Sequence, residues 1–149
     1  MIEENGDQRI IGRKICNSVL CCASRYGHTD IVELCREKGM GDFGEAISWA
    51  ATGGHIEIVK WCKEWGANNF DSTMCDAAAC GHIGIVKLCE KWGADNFDNV
   101  MCCAAKNGYV EVVKLCKEWG ARNFEETMMC ARTCNCMKIV KLCKKWRRK

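Results

Sequence analysis

The residues of this chain return every 27 positions, and few features restrict a fold as tightly as an internal period of that length. Gly27-His28 recurs as Gly54-His55 and Gly81-His82, then as Gly108-Tyr109, and in degraded form as Asn135-Cys136. The same step carries Cys35 to Cys62, Cys89, Cys116 and Cys143, Phe43 to Phe70, Phe97 and Phe124, and Trp65 to Trp92, Trp119 and Trp146. Cutting after each Phe gives five repeats, 17–43, 44–70, 71–97, 98–124 and 125–149, preceded by a segment, 1–16, outside the register.

In the repeat 71–97, Ile85, Leu88, Cys89 and Trp92 fall at i, i+3, i+4 and i+7, and Ile83 and Val86 add a second apolar edge. That spacing predicts a helix buried on more than one side. The first half of the repeat is shorter, with Asp71 or Ser72 as N-cap and Met74, Ala77 and Ala78 as a narrow apolar edge. Gly81 and Gly93 stand where a left-handed residue usually ends a helix. Each repeat therefore reads helix, tight turn, helix, short turn. One repeat has too few apolar side chains to offset the ordering of its backbone, so its neighbours must cover it. Leucine-rich repeats have a similar period but need L-x-x-L-x-L on a strand, which the helical spacing excludes. The expected class is all-α.

Apolar residues at 48% and charged residues at 28% match a soluble globular chain. No apolar run reaches the roughly 18 residues of a membrane span, and the opening MIEENGDQRIIGRK lacks the apolar core of a secretory signal. An intracellular, cytoplasmic location is expected, with the nucleus left open. The 15 cysteines do not change this. Thiols at one position of successive repeats are separated by the helix spacing of about 8–10 Å, whereas a disulfide needs Cα atoms within about 4.4–6.8 Å. They read as reduced, small core residues.

The segments GHIEIVKWCKEWGA, GHIGIVKLCEKWGA and GYVEVVKLCKEWGA closely resemble the second helix of the ankyrin repeat. The first half departs from the family: where ankyrin repeats favour T-P-L-H-x-A, this chain has Ser72-Thr73-Met74-Cys75-Asp76-Ala77, and it contains no proline. The resemblance implies an ankyrin-like helical solenoid of five helix-turn-helix repeats. The residues missing from the usual longer period follow the Gly-Ala that closes each second helix, so the β-hairpin fingers are expected to be reduced or absent. The W-G-A-x-N-F signature is similar to ankyrin-like families of large DNA viruses, which act in host cells.

Comparison of the five copies separates two kinds of position. Near-constant residues such as Ala50, Ala77 and Ala104 are explained by packing. Positions that vary at helical spacing are candidate contacts: Glu45, Ser48, Trp49 and Thr52, then Ser72, Cys75, Asp76 and Ala79, then Asn99, Cys102, Cys103 and Lys106. They share one side of the first helices, the side that lines the concave groove in ankyrin-like stacks. Trp49 replaces Cys22, Asp76, Cys103 and Cys130 of the other copies, so it is either a partner contact or the filling of a local gap.

His28, His55 and His82 recur one repeat apart, too far to share a metal ion, and are expected to bond the backbone of the turn in which they sit. Cys130, Cys134 and Cys136 with Cys143 lack a standard zinc spacing. There is no H-E-x-x-H, no Gly-rich phosphate loop and no nucleophile motif. No catalysis and no cofactor are expected. The last repeat lacks the turn glycine and ends KKWRRK, which reads as a C-terminal cap, and Ile10, Ile11 and Ile15 are expected to cap the other end. These features lead to a monomeric, non-catalytic module that binds a protein partner. The alternative is nucleic-acid or nuclear-import-factor binding through Lys138, Lys141, Lys144, Lys145, Arg147, Arg148 and Lys149.

Overall fold

The computed structural model describes residues 4–148, with side chains from Ile10 onward; the first three residues of the 1–16 segment and Lys149 of the basic end lie outside the described residues. The chain is all-helical. Its elements are α1 Glu4–Tyr26, α2 Thr29–Glu37, α3 Phe43–Gly53, α4 Ile56–Glu64, α5 Phe70–Ala79, α6 Ile83–Lys91, α7 Phe97–Lys106, α8 Val110–Glu118, α9 Phe124–Thr133 and α10 Met137–Arg147, with no strand among the described residues. Among the same residues no helix is long and apolar enough to cross a membrane.

The sequence period sets the helix boundaries through two kinds of stop. After each first helix the residue beyond the turn glycine donates its N–H back to a constant alanine: His55 to Ala50 O at 2.9 Å, His82 to Ala77 O at 2.9 Å and Tyr109 to Ala104 O at 3.0 Å. After each second helix the Gly-Ala pair does the same, with Ala67 donating to Cys62 O at 2.9 Å and Ala94 to Cys89 O at 3.1 Å. In both, the glycine takes the left-handed backbone that closes a Schellman motif, as at Gly81 (φ 77°) and Gly93 (φ 97°). Asn135 fills that place in the last copy at φ 56°. Asparagine is one of the few side chains that tolerates it.

Each recurring Phe opens the helix that follows it. There it packs on the Trp at the end of the same helix pair, with ring centroids 4.9 Å apart for Phe43 and Trp65, 5.2 Å for Phe70 and Trp92, and 5.3 Å for Phe97 and Trp119. Such aromatic pairs contribute about 0.5–1.5 kcal/mol beyond their burial.

The chain divides into two compact units, one ending at Asn68 and one beginning at Asn69. In the first, α3 packs on α1 and α4, and α2 on α1. In the second, α7 lies between α5 and α9, and each of these three packs on its own second helix. The core repeats with the sequence. Ile58, Val59 and Cys62 are buried in α4, Ile85, Val86 and Cys89 in α6, and Val112, Val113 and Cys116 in α8.

Two contacts join successive helix pairs. In the second unit the Asp71 carboxylate accepts from the N–H groups of Asp95 and Asn96, both at 3.1 Å, and Asp98 accepts from those of Arg122 and Asn123, both at 2.7 Å. The expectation that Asp71 or Ser72 caps its own helix is corrected: Asn69 is the N-cap of α5. A carboxylate in the first turn instead clasps the loop before the following pair. The second contact explains the turn glycines. The His55 ring lies against Gly27 and the Tyr109 ring against Gly81, so a Cβ at either glycine would clash with it. His55 Nε2 is 3.0 Å from Arg25 O, so this histidine bonds backbone of the preceding turn rather than its own.

The N-terminal expectation also changes. No helix-ending residue separates 1–16 from the first repeat, and α1 runs unbroken to Tyr26. Ile10, Ile11 and Ile15 are exposed rather than packed as a cap. Val19 is 47% exposed although its copies Ala46, Thr73, Val100 and Thr127 are all at 0%.

Candidate functional site

The first helices are short and mostly apolar on one edge. Burial of that edge leaves the variable positions on the other. In α3, Glu45 is exposed and Ser48, Trp49 and Thr52 are half-buried, with the Thr52 hydroxyl donating to Ser48 O at 2.9 Å. Glu45 and Trp49 line an open groove of about 510 Å³ within the first unit, together with Cys21, Cys22, Arg25 and Tyr26 of α1. The Arg25 guanidinium stands 5.2 Å from the centre of the Trp49 ring. This is cation–π geometry. Burial, with Glu45 close by, pushes the Cys21 thiol up to about 12 and keeps it protonated.

In the second unit the corresponding positions lie on α5 and α7. Cys75, Asp76 and Ala79 are half-buried, and Ser72 is exposed but engaged locally, its hydroxyl donating to Asn69 O at 3.0 Å. Asn99 and Lys106 are exposed, and Cys103 is half-buried. Asn99 Nδ2 reaches Cys75 Sγ at 3.5 Å, and Cys103 stands one turn beyond Asn99 on α7. Cys75, Asp76, Asn99, Cys103 and Lys106 thus form one cluster.

Cys102 is a correction. It is 5% exposed and its thiol lies 3.6 Å from the Thr127 hydroxyl, so it packs between α7 and α9 and offers no contact surface. Sequence reasoning missed Cys22 and Arg25 in α1 and the exposed Glu126 and Met129 in α9. Subtracting or adding one 27-residue step to the chosen positions would have found them.

The remaining chemistry is structural. Cys134 donates to Ala105 O at 3.2 Å, while Cys130 and Cys143 are buried. Among the described residues no group of three or more His, Cys, Asp or Glu side chains is placed to hold a metal ion. Burial pushes the thiols of Cys62, Cys89 and Cys116 up to about 12. Basic side chains of α10 are exposed, with Arg147 paired to Glu125 of α9. No family model matches the chain, and no curated protein matches it significantly.

Proposed function

We propose that this chain is a non-catalytic protein-interaction module, an ankyrin-like helical solenoid that binds a protein partner through the outward face of its first helices. The observation that carries this reading is Trp49. An indole stands in an open groove, backed by Arg25, at a position where the other copies have Cys or Asp. Packing at that position therefore does not require a large aromatic, and Trp and Arg are the side chains that most often dominate binding energy. The helices that present them are already ordered, so association loses little conformational entropy.

The test is Trp49→Ala, with partner retention and melting temperature measured on the same preparation. The reading expects at least a tenfold loss of affinity with a change in Tm of a few degrees. Loss of stability with unchanged affinity for the folded fraction assigns Trp49 to gap filling instead.

A nucleic-acid or import-factor reading rests on the exposed Lys138, Lys141, Lys144, Lys145 and Arg148. Cations at a helix C-terminus also favour the helix dipole, which explains most of them without a partner. Nucleic-acid binding that disappears on removing residues 144–149, and at moderate salt, would favour that second reading.

A further inference from the structure

Two pairs of positions 28 apart on successive first helices of the second unit are both cysteines, Cys75 with Cys103 and Cys102 with Cys130. Asn99 Nδ2 of α7 donates to Cys75 Sγ of α5 at 3.5 Å, with Cys103 one turn beyond Asn99, and Cys102 Sγ of α7 lies 3.6 Å from Thr127 Oγ1 of α9, with Cys130 three residues further on. The two pairs share register and chemistry but differ in access. Cys102 and Cys130 are buried, whereas Cys75 and Cys103 are only half-buried. The accessible pair also has polar company, with Asn99 Nδ2 at 3.5 Å from Cys75 Sγ and Lys106 one turn beyond Cys103.

Helix geometry permits a bond within either of these pairs that it forbids between cysteines at the same position of successive repeats. Cysteines at the same position of successive repeats are displaced by the whole interaxial spacing, about 8–10 Å. Facing residues are closer, because each Cα lies about 2.3 Å from its own axis. At that spacing facing Cα atoms approach to about 3.4–5.4 Å, which overlaps the disulfide range of about 4.4–6.8 Å. α5 and α7 pack directly on each other.

We propose that Cys75 and Cys103 are a redox-active dithiol, closed to an inter-helix disulfide by a peroxide and reopened by a small-molecule thiol. Cys103 is the attacking sulfur. The neighbouring Cys75 thiol and the nearby Lys106 ammonium stabilise its thiolate against burial and Asp76, drawing it down from 9.0 to about 7. The Cys103 thiolate, with burial, holds Cys75 protonated. The Cys103 thiolate attacks one peroxide oxygen and the O–O bond breaks. The departing oxygen leaves as hydroxide or alkoxide, and Cys103 becomes a sulfenic acid. Cys75 then attacks the sulfenic sulfur, the S–S bond forms, and the S–O bond breaks, the oxygen leaving as water with the Cys75 proton. The two sulfurs give up two electrons, and the peroxide takes them. This site does not depend on the binding reading.

The experiment treats the full-length chain with graded hydrogen peroxide at pH 7, blocks remaining thiols with an alkylating agent and maps peptides without reduction. The peptide joining Cys75 to Cys103 is expected to form at least about tenfold faster than one joining Cys102 to Cys130, and dithiothreitol removes it. Cys75→Ser is expected to leave a Cys103 sulfenic acid that dimedone captures. Lys106→Glu slows closure about fivefold, the loss of thiolate at pH 7 that a one-unit rise in the Cys103 pKa brings. Formation of the buried Cys102–Cys130 link at an equal rate overturns the proposal. So does complete oxidation of the exposed Cys22 and Cys134 while Cys75 and Cys103 remain alkylatable. The wild-type map decides alone, whatever the variants' folding.

Discussion

The second helices α4, α6 and α8 bury one repeated set, Ile58, Val59 and Cys62, then Ile85, Val86 and Cys89, then Val112, Val113 and Cys116. The first helices α3, α5 and α7 turn a different set outward in each copy: Glu45 and Trp49, Ser72 and Asp76, Asn99 and Cys103. The same chain thus holds one layer of positions in which every copy solves the same packing problem and another in which the residues change from copy to copy. Packing free energy explains the first layer. It leaves the second unexplained, and that is why the proposed contact surface lies there.

Substitutions should separate the two layers by size of effect. Val86 is fully buried in α6, so Val86→Asp places an unpaired charge in the core and should abolish cooperative unfolding, a loss of more than about 4 kcal/mol. Circular dichroism during thermal unfolding reads this directly. Ile85→Ala removes buried methyl groups and leaves a cavity, with an expected cost of about 2–4 kcal/mol by denaturant titration.

Asp98→Ala removes the acceptor of two backbone N–H groups at a solvent-facing site. Its expected cost is about 1–2 kcal/mol, and Asp98→Asn should restore part of it. Lys106→Glu changes the outward layer alone and should move stability by less than about 0.5 kcal/mol. A Lys106 effect as large as that of Ile85 would erase the distinction between the layers.

The buried thiols give a pH test of the constant layer. Cys62, Cys89 and Cys116 are raised from 9.0 to about 12 by burial. The folded chain therefore keeps protons that the unfolded chain releases above 9.0. Their contribution is fully present below that value and is lost as pH rises toward about 12. Tm should fall steeply over that window, and Cys62→Ala should make the fall shallower.

The period, the helix pairs and their glycine stops could all be read from the sequence, because each depends on local spacing or a single backbone conformation. What escaped depends on neighbouring helices. Asp71 looks like a cap for its own helix because capping is local, but its carboxylate bonds a loop 24 residues away. Cys102 looks like its copies Ser48 and Cys75, but Thr127 and Cys130 of α9 cover it. Ile10, Ile11 and Ile15 look like cap residues because they are apolar, but no described element covers them. Trp49 stood out for the opposite reason. Its departure from the other copies is visible in the sequence itself.

The central claim is that the variable layer holds the partner. Its most direct test compares two sets of surface substitutions in the full-length chain. One set is Trp49→Ala, Asn99→Ala and Lys106→Glu on the first helices, and the other is Lys60→Glu and Lys87→Glu on the second helices. Proteins retained from cells are quantified beside Tm. The account predicts that the first set loses the partner while Tm shifts by only a few degrees, and that the second set keeps it. Retention by the first set, with loss confined to the second, would contradict it.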